Sequence, residues 1–188
     1  RLFLERGFEA VTVDDIAAAA EVGRMTVFNH FPRKEDMFFD RDEEGRALLR
    51  DAIAGRETGV SPVEALRRLA HRLADEQAPT VRFTPQSQGF VTTVARSPTL
   101  QARARAIRDE IAHDIAQALA QAAGRPPDDA DARLAAALLL ATWTTALVQA
   151  HAAFAPRQDA KAARAVFLDI VDRGSRGVEA ALAGTPLA

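Results

Sequence analysis

No stretch of this sequence alternates β-branched and polar residues over the roughly four to eight positions a half-buried strand needs; alanine, leucine, arginine and glutamate instead recur three and four positions apart from end to end. That spacing predicts an all-α chain. Breakers divide it at Gly7, the Glu21-Val22-Gly23 turn, Pro32, the "GRETGVSP" loop ending at Pro62, "APTVRFTP", Ser97-Pro98, "GRPPDD" and "APRQD", leaving about nine helices. Apolar residues make up 48% of the 188, enough to bury a core. A net charge of -2 argues against a polyelectrolyte or a general nucleic-acid coat. The absence of cysteine excludes disulfides, thiolate nucleophiles and thiolate metal ligands.

Ser61-Pro62 and Ser97-Pro98 each join a capping hydroxyl to a proline at the first helical position, where the lost N–H has no intrahelical partner anyway. The helix expected over Pro98 to Ala123 carries Leu100, Ala104, Ile107, Ile111, Ile115 and Leu119 on one stripe. From about Asp129 to Ala153 two stripes are expected, Leu134, Leu138, Ala141 and Val148 on one side and Leu140, Trp143, Leu147 and Phe154 on the other, so this helix needs two partners. The run "LAAALLLATWTTALVQAHAAFA" has the length to span a bilayer, but its threonines, Gln149 and His151 favour a buried helix. The last helix carries Val166, Phe167, Ile170, Val171, Val178 and Leu182, with Gly174 and Gly177 small enough to admit a close neighbour. Leu138 and Val148 with Val166, Ile170, Gly174 and Val178 are therefore candidates for a four-helix interface with a second copy; the alternative is a monomer that buries both stripes internally.

Near the N-terminus, Thr12 with Asp15 three residues on makes an approximate capping box for a helix over Val13 to Ala20. A three-residue turn and a second short helix from Arg24 to His30 follow at helix-turn-helix spacing. Phe3, Phe8, Ile16, Val22, Val27 and Phe31 are spaced to share a small core, which leaves Arg24, Met25, Thr26, Phe28, Asn29 and His30 outside it. The pattern of Leu2-Phe3, Glu5 to Phe8, Thr12, Asp15 to Ala17, Thr26 to Phe28, His30-Phe31 and Lys34 to Asp36 resembles the tetracycline-repressor family of one-component bacterial transcription regulators. That resemblance implies a DNA-binding domain over residues 1–40, whose first helix begins before Arg1, and an effector-binding and dimerisation domain over residues 41–188. It also implies a cytoplasmic homodimer, an operator DNA partner, and a fourth helix starting at Lys34 to Asp36. Arg24, Met25, Thr26, Phe28 and Asn29 would face the major groove, with Thr12, His30 and Lys34 at or near phosphates. The residue chemistry agrees: Asn29 can pair with an adenine edge, Arg24 with guanine or phosphate, and Met25 or Phe28 can touch thymine methyls.

Against this stands charge. Residues 1–40 hold five basic side chains (Arg1, Arg6, Arg24, Arg33, Lys34) and eight acidic ones (Glu5, Glu9, Asp14, Asp15, Glu21, Glu35, Asp36, Asp40), a net of -3. Asp14, Asp15, Glu35 and Asp36 are expected in first turns of helices, where carboxylates oppose the dipole, and Arg24 and Lys34 on the DNA side. The chain departs from the family pattern at Glu21, where glycine is usual, at Gly23 and Arg33, where capping serines are usual, and at Phe28, which replaces a frequent tyrosine. Affinity should then rest on few phosphate contacts and have a shallow salt slope.

No HExxH, GxSxG or phosphate-cradling loop is present, and His30, His71, His113 and His151 fall one per segment. The expectation is a protein that is no enzyme and carries no cofactor or metal. Phe83, Phe90, Thr93, Val94, Ile107, Ile111, Leu140 and Trp143 are candidates to line an apolar effector cavity, with Arg96, His113, Thr144 or Gln149 as further polar groups. The stretch "GFVTTVARSPTLQARARAIRDEI" with "GRPPDD" resembles family members whose effectors are acyl-coenzyme-A-like or otherwise lipophilic.

Overall fold

Every expected breaker separates two helices in the computed structural model, which describes residues 2–187. Among these the chain forms α1 (Leu2–Arg6), α2 (Val13–Ala19), α3 (Arg24–His30), α4 (Asp42–Ala54), α5 (Pro62–Asp75), α6 (Pro85–Arg96), α7 (Pro98–Ala122), α8 (Ala130–Phe154) and α9 (Ala160–Ala181), and no strand. Arg1, counted above among the basic groups, lies outside the described residues. The capping hydroxyls act as the sequence predicts: Ser61 accepts from the Glu64 N–H, and Ser97 from the Leu100 N–H at 3.2 Å.

The core is built where α8 lies against α9 and α7. Here the expected two-stripe picture of α8 needs correction, because its buried face is largely alanine. Ala132, Ala135, Ala136, Ala146 and Ala150 are buried, together with Leu139 and Phe154, in one cluster with Ala163, Phe167, Val171 and Val178 of α9. Small side chains allow the two backbones to approach, and at Gly174 a β-carbon would overlap the Thr142 side chain. The bulky stripe is consequently turned aside: Leu140, Trp143 and Leu147 are only partly buried, while Leu134 and Val148 remain 46% and 54% exposed. Val178 and Gly174, candidates for an interface between copies, are instead committed within the chain, Val178 to the core and Gly174 to Thr142. Leu138, Val166 and Ile170 are half-buried.

The fourth helix starts later than expected. Residues 33–41 form successive turns, with hydrogen bonds from the Asp36 N–H to the Arg33 carbonyl and from the Phe38 N–H to the Glu35 carbonyl. Arg33 has no side-chain acceptor to cap a helix, and α4 begins where Asp42, Glu43 and Glu44 place three carboxylates in the first turn. Glu35 and Asp36 therefore oppose no helix dipole. Asp36 instead accepts from Arg103 of α7 at 3.0 Å.

The small core at the N-terminus also differs in membership. Val11, Phe8, Ala17, Val27 and Phe38 are buried, whereas Phe3, Ile16 and Phe31 are partly so and Val22 is 43% exposed, carried outward by the turn that ends α2. Phe38 packs edge-on to Phe8 at 6.1 Å and stacks on Phe90 of α6 at 4.6 Å, which fixes the first helices against α6. Ser97, 3% exposed, adds a polar tie by donating to the Glu9 carboxylate at 2.6 Å.

Two outcomes follow from this packing. Gly174→Ala should lower unfolding free energy by about 1–3 kcal/mol in urea titration, with partial recovery in the Gly174→Ala/Thr142→Ala pair. Glu64 accepts hydrogen bonds from Arg67 at 2.6 Å and Arg68 at 2.8 Å, and these hold its carboxyl down to about 2 from 4.5. A depressed carboxylate stabilises the fold above its unfolded value and loses that contribution as protons are added. The urea midpoint should therefore fall as pH drops from 4.5 toward 2, and Glu64→Gln should flatten that part of the profile.

Candidate nucleic-acid interface

The expected helix-turn-helix is present, and its entry is doubly fastened. Thr12 accepts from the Asp15 N–H at 3.1 Å, and its own N–H donates back to Asp15 at 2.8 Å. The Thr12 hydroxyl donates to the same carboxylate at 2.6 Å, and these bonds hold the Asp15 carboxyl below its ordinary range. Both donors of Thr12 are thereby committed within the protein, so its first role is to start α2.

The exit from α2 is a Schellman turn: the Val22 N–H reaches the Ala17 carbonyl at 3.0 Å and the Glu21 N–H reaches Ala18 at 3.2 Å. That geometry needs a left-handed residue, and Glu21 supplies it at φ 56°. The conformation usual for glycine is kept by a residue with a side chain, at a cost of order 1 kcal/mol. Gly23 then caps α3 without a side-chain hydrogen bond.

On α3, Val27 is buried and turns the opposite face out. Met25 is 71% exposed, Thr26, Asn29 and His30 are exposed, and Phe28 is half-buried. Arg24 is exposed but occupied, its Nη1 3.1 Å from Asp14 Oδ2 and its guanidinium 5.5 Å from the Phe28 ring centroid. Lys34 is occupied too, with Nζ 4.3 Å from the Phe8 ring centroid. Arg6 lies 3.7 Å from Asp15. The structure thus brings Arg24, Met25, Thr26, Asn29 and His30 together on one short exposed helix, and places Thr12 and Lys34 on the segments flanking the two-helix unit.

The candidate cavity residues divide. Ile107, Ile111, Leu140 and Trp143 line one cleft of about 390 Å³ among α4, α5, α7 and α8, together with Thr144 and Phe39. Phe83 belongs to the main core beside His151 and Phe167, at 5.1 and 6.3 Å. Phe90 and Val94 pack with the phenylalanines of the N-terminal helices, and the Thr93 hydroxyl donates to the Gly89 carbonyl at 2.8 Å. Burial in that core pushes the His151 imidazole down, favouring its neutral form, in contact with Gln88 at 3.2 Å. Phe39 was missed because the sequence placed it on an early turn of a helix rather than on the wall of a cleft. Among the described residues no cluster of His, Asp or Glu could hold a metal.

Replacing Glu21 by glycine should relieve the left-handed strain and raise thermal stability by an amount equivalent to about 0.5–1 kcal/mol, measured by calorimetry.

Residues 1–40 match the family model described as bacterial regulatory proteins, tetR family. Over 132 residues the chain is 29% identical to the HTH-type transcriptional regulator TcmR of Streptomyces glaucescens, an alignment covering 68% of this chain and 58% of that protein. The chain therefore spans a little over half the length of this relative. The capped two-helix unit and the exposed α3 both lie inside the segment that is similar to the tetR family of bacterial regulatory proteins.

Proposed function

We propose that this protein is a DNA-binding transcriptional regulator, a cytoplasmic homodimer that a small apolar effector releases from a near-palindromic operator. The observation that carries the reading is the exposed face of α3, within a helix-turn-helix that the tetR-family match covers. Residues 1–40 act as the DNA-binding domain and 41–188 as the effector and dimerisation domain. Arg24, Met25, Thr26, Phe28 and Asn29 read the major groove, while His30, Lys34 and the N-terminus of α2 at Thr12 lie toward phosphates. To reach DNA, Arg24 must exchange Asp14 for a phosphate or guanine, which lowers affinity and makes binding depend on the fit of α3.

The homodimer is supported by α8. The helix is long and strongly apolar, yet most of its apolar stretch is not buried within one chain. Leu134 and Val148 lie on its exposed side, where a second copy's α8 and α9 would cover them. Two recognition helices would then enter successive major grooves about 34–36 Å apart.

Phe39 lines the cleft and meets Phe38 edge-on at 5.3 Å, and Phe38 touches Phe3 and Phe8. Arg103 on α7 binds Asp36 at 3.0 Å and Glu110 at 2.9 Å. An occupant of the cleft thus bears on the same groups that seat the N-terminal helices, and it favours one separation of the recognition helices over another. Repression relieved by effector is the sign adopted. A second reading, a ligand-binding domain that no longer binds DNA, is favoured by the net charge of -3 over residues 1–40 and by the internal partners of Arg24 and Lys34.

A gel shift with the full chain and the DNA flanking its own gene separates the two. The expected result is a discrete band that resists nonspecific competitor; Arg24→Ala and Asn29→Ala should each weaken it by about 1–3 kcal/mol, and Asp14→Asn should strengthen it and steepen its salt dependence. A folded dimer that shifts no DNA at low salt would establish the second reading.

A further inference from the structure

The cleft among α4, α5, α7 and α8 is uneven in its chemistry. Ile107, Ile111, Leu140 and Trp143 give it an apolar wall, and among the described residues no carboxylate lines it. Its polar groups are Thr144, Arg105 and Arg108, and both arginines are exposed, which puts them at the rim. Standing three residues apart on α7, they are neighbours on one helical face. Nearby arginines on the same pair of helices are neutralised: Arg103 by Asp36 and Glu110, and Arg50 by Glu43 and Asp114. Arg105 has no hydrogen bond or ion pair among the described residues, and the carboxylate nearest to Arg108 is its neighbour Asp109 at 3.8 Å.

We infer that the cleft takes an amphipathic organic anion, its apolar body against Trp143, Ile107 and Ile111 and its terminal carboxylate or phosphate-type group on Arg105 and Arg108. The inference rests on reading this cleft as the effector site and adds a charge to that effector. Guanidinium groups match such oxyanions with two parallel donors; Arg105 is free to turn toward one, and Arg108 has only a long, solvent-exposed pair with Asp109 to give up. The volume of about 390 Å³ suits a molecule of small drug size rather than a simple ion. Exposure at the rim keeps the charged end hydrated, so the apolar wall is filled without burying an ion.

Trp143 is the single tryptophan, and its emission reports occupancy directly. Dodecanoate and dodecan-1-ol, kept below micelle-forming concentrations, are titrated into the full chain, followed by 4-butylbenzoate and 4-butylbenzamide. Each anion is expected to bind about tenfold or more tightly than its neutral partner. The double substitution Arg105→Gln/Arg108→Gln should abolish that preference while leaving neutral binding and the circular dichroism spectrum unchanged. The stronger of the two anions tells a chain-like from a ring-like body. Equal binding of anion and neutral partner, or a preference that survives the double substitution, overturns the inference and leaves the effector cleft standing. If none of the four moves Trp143 emission, both the cleft reading and the inference fall.

Discussion

The close approach of α8 and α9 sets the arrangement of everything around it. Alanines fill the buried face of α8, and Gly174 meets Thr142 where any side chain would collide. Because small residues occupy much of that seam, few large side chains of α8 lie in it: Leu139 and Phe154 are buried there, and Trp143 reaches only the edge of Phe167 at 6.1 Å. Trp143, Leu140 and Leu147 are directed to the cleft shared with α7, and Leu134 and Val148 to the outside. One packing decision therefore produces the cavity and the apolar outer face together.

The N-terminal helices are too short to be stable alone and owe their position to what they touch. Phenylalanines 3, 8, 38, 39 and 90 form a continuous aromatic chain from α1 to α6, and Phe39 at its end is also a wall of the cleft. Polar links run in parallel, from Ser97 to Glu9 and from Arg103 to Asp36. Ser97 is both the cap of α7 and the partner of Glu9, so a shift of α7 is felt at the loop after α1.

Charge in this protein is organised locally rather than by its sum. In the N-terminal part Arg6 and Arg24 are held by carboxylates and Lys34 by the Phe8 ring. Along α4 and α7, Arg46, Arg50 and Arg103 join Glu43, Glu110 and Asp114 in a network that binds the two helices together. Arg105 stands outside that network, at the rim of the apolar cleft.

By itself the sequence determined the helices, their breaks and their caps, because these depend on neighbours within about four residues: Thr12 with Asp15, Ser61 and Ser97 before proline, and the turn between α2 and α3 were all legible. It also determined which residues of α3 stand outside the core, since helical spacing alone separates Val27 from Met25 and Asn29. At the start of α4, expected at Lys34 to Asp36 and found at Asp42, local signals misplaced the boundary, because Phe38 and Asp36 answer to Phe90 and Arg103 far along the chain. Only the tertiary structure decided that alanines make up most of the buried face of α8, that Phe39 borders the cleft, and that Arg24 is already paired. A hydrophobic stripe fixes which residues avoid water, whereas the choice of partner depends on side-chain volume at both surfaces, and that is settled only when the helices meet.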